Sequence, residues 1–188
     1  MKTFDVDAAR KRLCELVRER AFRDGLDIVL SSGKRSDFYI NGKRVTLDPE
    51  GLWLLARLML VELEAFPDVT AVGGLTLGAD PMAAAISALS YETQRPLRAF
   101  LVRKEAKGHG TGSRIEGELS AGDKVAILED TVTTGASARR AIEAVLEVGA
   151  VPAVLLALAD REDSDADELR RELPFVPLVR LRDLRGGR

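Results

Sequence analysis

The chain has 188 residues, 46% of them hydrophobic, and a formal net charge of −2. That length suits one domain with an ordinary core, and the near-neutral balance excludes a chain-wide attraction to nucleic acid or to an anionic membrane, so any ligand field has to be local. A single cysteine, Cys14, excludes an internal disulfide and fits a reducing compartment, where its plain role is a small apolar residue beside Leu13, Leu16 and Val17.

The stretch MKTFDVDAARKRL lacks the apolar core of a signal peptide. Residues 52–61 form the longest apolar run, but they include Arg57 and are too short to span a bilayer. A cytoplasmic protein without a membrane segment is expected. Asp5 or Asp7 caps a first helix running to about Phe22, with Ala9, Leu13, Leu16 and Val17 on one face. Residues 28–30 and 38–40 read as short strands around the polar turn SSGKRSD. Asp48 before Pro49 is a helix-start signal, and that helix should reach about Phe66. Trp53, among Leu52, Leu54 and Leu55, is expected in core or subunit packing.

The pattern then alternates. Residues 69–73 read as strand, 80–90 as an Ala-rich helix, 99–103 and 125–129 as strands, 135–148 as helix and 153–159 as strand. Weaker segments at 166–173 and 175–181 read as helix and strand. Short apolar runs separated by helices predict an α/β fold, with a mostly parallel central sheet flanked by helices. Residues 104–123, KEAKGHGTGSRIEGELSAGD, break the rhythm without an evident helix. A connection of that length is expected to be a functional flap or disordered, and its glycines favour mobility. The basic C-terminal RLRDLRGGR reads as a solvated tail.

In an open α/β sheet, ligands gather at the carboxyl ends of the strands. The strand at 125–128 delivers Glu129 and Asp130 to that edge, and TVTTGAS follows as the next helix opens. Unpaired N–H groups of that first turn, with the hydroxyls of Thr133, Thr134 and Ser137, form a phosphate nest that Gly135 lets an anion approach. The carboxylates would repel a phosphate, so hydroxyls or developing positive charge beside it are their better targets. A sugar phosphate supplies both. The alternative is an ordinary capped turn with solvated acids. GGLTLGAD, residues 73–80, lacks the Lys–Ser/Thr end of a nucleotide P-loop, and GHGTG lacks dinucleotide spacing. Arg103, Lys104, Lys107 and His109 cluster in the flap, with Arg114 after them. Such charge suits a departing pyrophosphate. No other histidine or thiolate stands at ligand spacing to make His109 a metal ligand.

LEDTVTTGAS resembles the signature of the type I phosphoribosyltransferases, an apolar strand followed by two acids and a Thr/Gly phosphate turn. Three further segments, LSSGKRSDFY (residues 30–39), VRKEAKGHG (102–110) and LADRED (158–163), resemble the orotate-specific branch of that family. The resemblance covers nearly the whole chain, and RKEAKGHG is its most specific part. It implies the type I phosphoribosyltransferase fold, with residues of about 1–45 as a small N-terminal hood over the base site and about 104–123 as the catalytic flap. It also implies transfer of the 5-phosphoribosyl group from phosphoribosyl pyrophosphate (PRPP) to orotate, giving orotidine 5′-monophosphate and pyrophosphate in pyrimidine biosynthesis, with Mg²⁺ held mainly through PRPP.

On that reading Glu129 and Asp130 face the ribose hydroxyls, and Thr131, Val132, Thr133, Thr134, Gly135, Ala136 and Ser137 hold the 5′-phosphate. Arg103, Lys104, Lys107 and His109 grip pyrophosphate, with Asp130 and Lys107 catalytic. Arg161 pairs with the orotate carboxylate, and Thr133 also touches the base. The implied assembly is a homodimer whose flap is shared between active sites, with no nucleic acid or membrane partner. The family often carries lysines where Ser31 and residues 75–77 stand here, so those roles are not carried over; Lys34 or Arg35 is a candidate replacement for the first. A phosphoribosyltransferase for a purine base, a PRPP-binding regulator without catalysis and a structural protein are the competing readings.

Overall fold

The structure is a computed structural model that describes residues 4–29, 33, 35–105 and 114–186. Asp5 accepts a hydrogen bond from the Ala8 backbone N–H at 3.0 Å, which starts α1 (Val6–Leu16). This helix buries Ala9, Leu13 and Leu16 and passes into a π-helical turn at Val17–Ala21, so the chain is already extended at Phe22. Strands β1 (Phe22–Val29) and β2 (Arg35–Ile40) pair antiparallel as a separate hairpin. A short helix, α2 (Lys43–Thr46), leads to α3 (Pro49–Glu62). There Asp48 caps the Gly51 N–H at 2.9 Å and Pro49 fills the first turn.

The remaining strands are β3 (Val69–Leu75), β4 (Arg98–Val102), β5 (Ile115–Glu116), β6 (Lys124–Val132), β7 (Val151–Asp160) and β8 (Phe175–Arg180). They form one sheet in the order β5-β4-β3-β6-β7-β8, parallel except for β5. The connecting helices are α4 (Asp80–Ser90), α5 (Ala136–Glu147) and α6 (Asp167–Glu172). Strand β6 shows why the apolar run is continuous. Ala126 and Leu128 pack with α1, α3 and α4, whereas Val125 and Ile127 pack with α5, so both faces are covered. The expected mostly parallel α/β sheet is therefore observed. β5, within the segment read as a flap, adds an antiparallel edge.

One expectation is narrowed and one is corrected. Of the core or subunit packing expected for Trp53, core packing is not observed: it is 45% exposed and meets the Phe4 ring edge-on, with the Arg57 guanidinium over its face. The C-terminal segment is not a solvated tail. Residues Leu181–Arg185 form α7, which buries Leu184. Arg185 pairs with Asp24 and Asp37 of the hairpin at 3.0 and 2.8 Å, and Arg18 donates to the Asp183 carbonyl at 2.7 Å. Ion pairs and an apolar anchor together dock a segment whose composition alone suggests solvent. Cys14 is half-buried, and burial pushes its thiol up, which suits a packing role. Among the described residues no helix is long and apolar enough to cross a membrane.

Candidate functional site

Chain order reverses between β3 and β6: β3 leads outward to β4, while β6 leads the other way to β7 and β8. A crevice opens at the carboxyl ends of strands beside such a switch point. A cavity of about 490 Å³ lies there, lined by residues 129–137 and Arg161 together with Tyr39, Asn41, Gly42 and Lys43. The hairpin also contributes Ile28 and Val29 to its wall. The predicted acids, the predicted phosphate turn and the predicted base-recognition arginine are thus brought together.

The phosphate turn has the geometry its sequence calls for. Gly135 precedes α5 with φ 78°, in the left-handed region that glycine adopts without strain; it has no side chain to cap the helix, and the first N–H, of Ala136, donates to Thr134 Oγ1 at 3.4 Å. Residues 133–137 line the cavity, so α5 opens at its wall with Thr133, Thr134 and Ser137 around its first turn.

Glu129 and Asp130 are 8% and 7% exposed. Asp130 Oδ1 accepts its neighbour Thr131's N–H at 2.8 Å, and Oδ2 accepts the Lys43 ammonium at 2.9 Å. Glu129 Oε2 and Thr131 Oγ1 are buried with no hydrogen-bond partner. Burial, and then the adjacent Asp130 charge, pushes the Glu129 carboxyl up to about 8. Burial opposes the charge on Lys43, but its hydrogen bond to Asp130 and the charges of Asp130 and Glu129 outweigh that and hold the ammonium above its ordinary range. The Lys43–Asp130 ion pair offsets one of the two adjacent acids. That lowers the repulsion which two free carboxylates would exert on a phosphate in the same cavity.

Register puts Arg161 beside the turn. Val132 of β6 stands opposite Asp160 of β7, and the Arg161 N–H donates to the Val132 carbonyl at 3.1 Å. Arg161 is 6% exposed as a whole residue; Nη2 donates to Ser36 Oγ at 3.0 Å, and the Phe38 ring lies 4.2 Å from the guanidinium. Burial lowers Arg161, offset in part by Asp163, Asp37 and Tyr39, and its Nε–H is buried without a partner. A buried cation with an unanswered donor at a cavity wall is an arrangement for an anionic group.

The flap cations stand differently. Arg103, at the end of β4, is exposed and pairs with Glu116 at 2.6 Å, and Lys104 is exposed beside it. Neither lines the cavity among the described residues. Lys107 and His109 lie outside the described residues, as do Ser31 and Lys34. Arg35 stands 3.7 Å from Asp27 on the hairpin, away from the acidic pair. Residues 76–79 follow β3, and the backbone at Gly78 abuts the Asp130 carboxylate. Sequence reasoning missed Lys43. Its signal was one of two adjacent cations, Lys43 and Arg44, after Asn41–Gly42 beyond a strand, which no spacing rule ties to an acid 87 positions later.

No protein-family model matches the chain. A curated orotate phosphoribosyltransferase of Nostoc sp. is 46% identical over 166 residues, covering 88% of this chain and 79% of that protein. One from Synechocystis sp. is 44% identical over 187 residues, covering 98% and 92%. Among solved structures, Mycobacterium tuberculosis orotate phosphoribosyltransferase in complex with PRPP superposes with a TM-score of 0.74 at 38% identity, over 94% of this chain and 98% of that one.

Proposed function

Because this chain belongs to the orotate phosphoribosyltransferase family, we propose that it transfers the 5-phosphoribosyl group of PRPP to a ring nitrogen of orotate. The products are orotidine 5′-monophosphate and pyrophosphate, and the step belongs to pyrimidine biosynthesis. The observation that carries this reading is the cavity itself, in which a helix-start phosphate turn, a buried acidic pair and a buried arginine share one wall.

In this scheme residues 131–137 hold the 5′-phosphate, Glu129 and Asp130 meet the ribose hydroxyls, and Arg161 with Thr133 receives the orotate carboxylate. Residues 1–45 act as the hood over the base, a role that the hairpin's contribution to the cavity wall supports. The bond from ribose C1 to pyrophosphate breaks, and its electron pair leaves with the pyrophosphate. The ring nitrogen of ionised orotate supplies the pair for the new bond, having given its proton to solvent. Asp130 stabilises positive charge that develops on the ribose ring, while Arg103, Lys104, Lys107 and His109 neutralise the leaving group. Positioning and charge stabilisation do the work, with little general-base chemistry.

Mg²⁺ belongs to this scheme as charge carried on the PRPP oxygens. Among the described residues no group of three His, Cys, Asp or Glu side chains converges on a metal position, and the outer Asp130 oxygen is engaged by Lys43. Such a donor set suits an ion that arrives with its substrate. A homodimer with flaps shared between sites completes the proposal.

Incubation with PRPP, Mg²⁺ and a panel of orotate, uracil, adenine and hypoxanthine tests the reading. Pyrophosphate release with orotate alone is the expected result, and selective use of a purine overturns it.

A further inference from the structure

Both oxygens of Asp130 are engaged, one by the Thr131 N–H within its own turn and the other by Lys43 from the opposite wall. The second contact joins parts of the chain that share no secondary structure. Lys43 opens α2 directly after the hairpin, and Asp130 lies near the end of β6. The approach is close because residue 42 has no side chain. A Cβ there would lie 2.9 Å from Thr131 Oγ1 and 3.0 Å from Asp130 Cβ. The other charged or titratable groups around the pair are Glu129 beside it, Tyr39 on the hairpin and Arg161 at the end of β7, and the residue 76–78 backbone adds none.

We infer that Lys43 is a positioning residue for the transfer reaction: from the hairpin side it holds the Asp130 carboxylate in the orientation that meets the ribose hydroxyls of PRPP. The inference rests on the reading of this cavity as the PRPP site. An ammonium at 2.9 Å fixes a carboxylate rotamer that would otherwise swing within the cavity, and it offsets the Asp130 charge while a polyanion binds. Lys43 is half-exposed, so its contribution is orientation of one partner rather than global stability.

The test is a double-mutant cycle with Lys43→Met, Asp130→Asn and the combined variant, plus Lys43→Arg and Lys43→Gln. Calorimetric PRPP·Mg²⁺ affinity and steady-state constants for both substrates are measured on samples matched by thermal melt. Lys43→Met is expected to weaken PRPP about tenfold while orotate KM moves less than about twofold, as loss of one charge-assisted contact predicts. Lys43→Arg should recover most of that loss. In the Asp130→Asn background the Lys43→Met effect on PRPP should shrink below about twofold, because the group through which Lys43 acts is gone. The same loss in both backgrounds would show that Lys43 acts elsewhere, and equal losses for PRPP and orotate would assign it to hood folding; either result overturns the inference. If Lys43→Met does not fold, the Gln variant carries the same cycle. A wild-type protein that makes no orotidine 5′-monophosphate overturns the broader reading, whereas an active wild type with indifferent Lys43 variants overturns this inference alone.

Discussion

Replacing Arg161 by alanine is expected to raise the KM for orotate about a hundredfold while PRPP affinity stays within about threefold, the size expected from losing a buried charge-assisted, two-pronged contact. Three observations set that expectation. Arg161 is 6% exposed, so water substitutes poorly for a lost partner. Its guanidinium plane is fixed by the Phe38 ring and by Ser36 Oγ, so little rotamer freedom is lost when a carboxylate docks. Its buried Nε–H has no protein acceptor. Lysine at the same position should recover under about a tenth of the loss, because a point charge cannot reproduce the planar fork. Steady-state kinetics with each substrate varied in turn checks this. A variant whose orotate KM is unchanged, or whose loss is confined to PRPP, would remove Arg161 from base recognition.

Asp130→Asn is expected to lower kcat by about a hundredfold or more, with a smaller effect on PRPP binding, in line with losing one preorganised charge aimed at the transition state. Asparagine keeps the volume and a hydrogen-bonding oxygen, so the turn survives. What disappears is the negative charge beside a ribose ring that becomes positive as its bond to pyrophosphate lengthens. The Lys43 ammonium, 2.9 Å away, then has lost its counter-charge. In the ground state the asparagine oxygen still accepts from a ribose hydroxyl, so binding loses less than turnover. In the transition state the freed cation opposes the charge forming on the ring. Single-turnover rates at saturating substrates separate these effects. An Asp130→Asn protein with wild-type kcat would show that this carboxylate does not serve the chemical step.

Much of this site could be read from residue order because its parts are local. An apolar run with both faces covered, two acids and a Thr/Gly turn lie within residues 124–137, and the parallel register carries Arg161 to the same edge. Asp48 with Pro49 announced α3 for the same reason: a cap and a pre-set φ act within one turn. The hairpin was harder to read. Most of β1 is exposed and its residues RDGLD show no apolar alternation, so only pairing with β2 reveals the strand before Ile28. β5 has two residues and gains its form from β4. The Lys43–Asp130 pair and the docking of α7 onto the hairpin join distant parts of the chain, and nothing in local periodicity encodes such a partner. Trp53 shows the converse limit. Its apolar neighbours suggested core or subunit packing, and helical geometry turns this position of α3 away from the core.

The central claim is spatial: one cavity holds the ribose phosphate at the β6–α5 turn and the base carboxylate at Arg161. A crystal structure of the protein with orotidine 5′-monophosphate tests it most directly. The account predicts the 5′-phosphate on the backbone N–H groups of residues 133–137, the ribose hydroxyls against Glu129 and Asp130, and the carboxylate on the Arg161 guanidinium. A phosphate bound away from that turn, or a base carboxylate that does not touch Arg161, would contradict it.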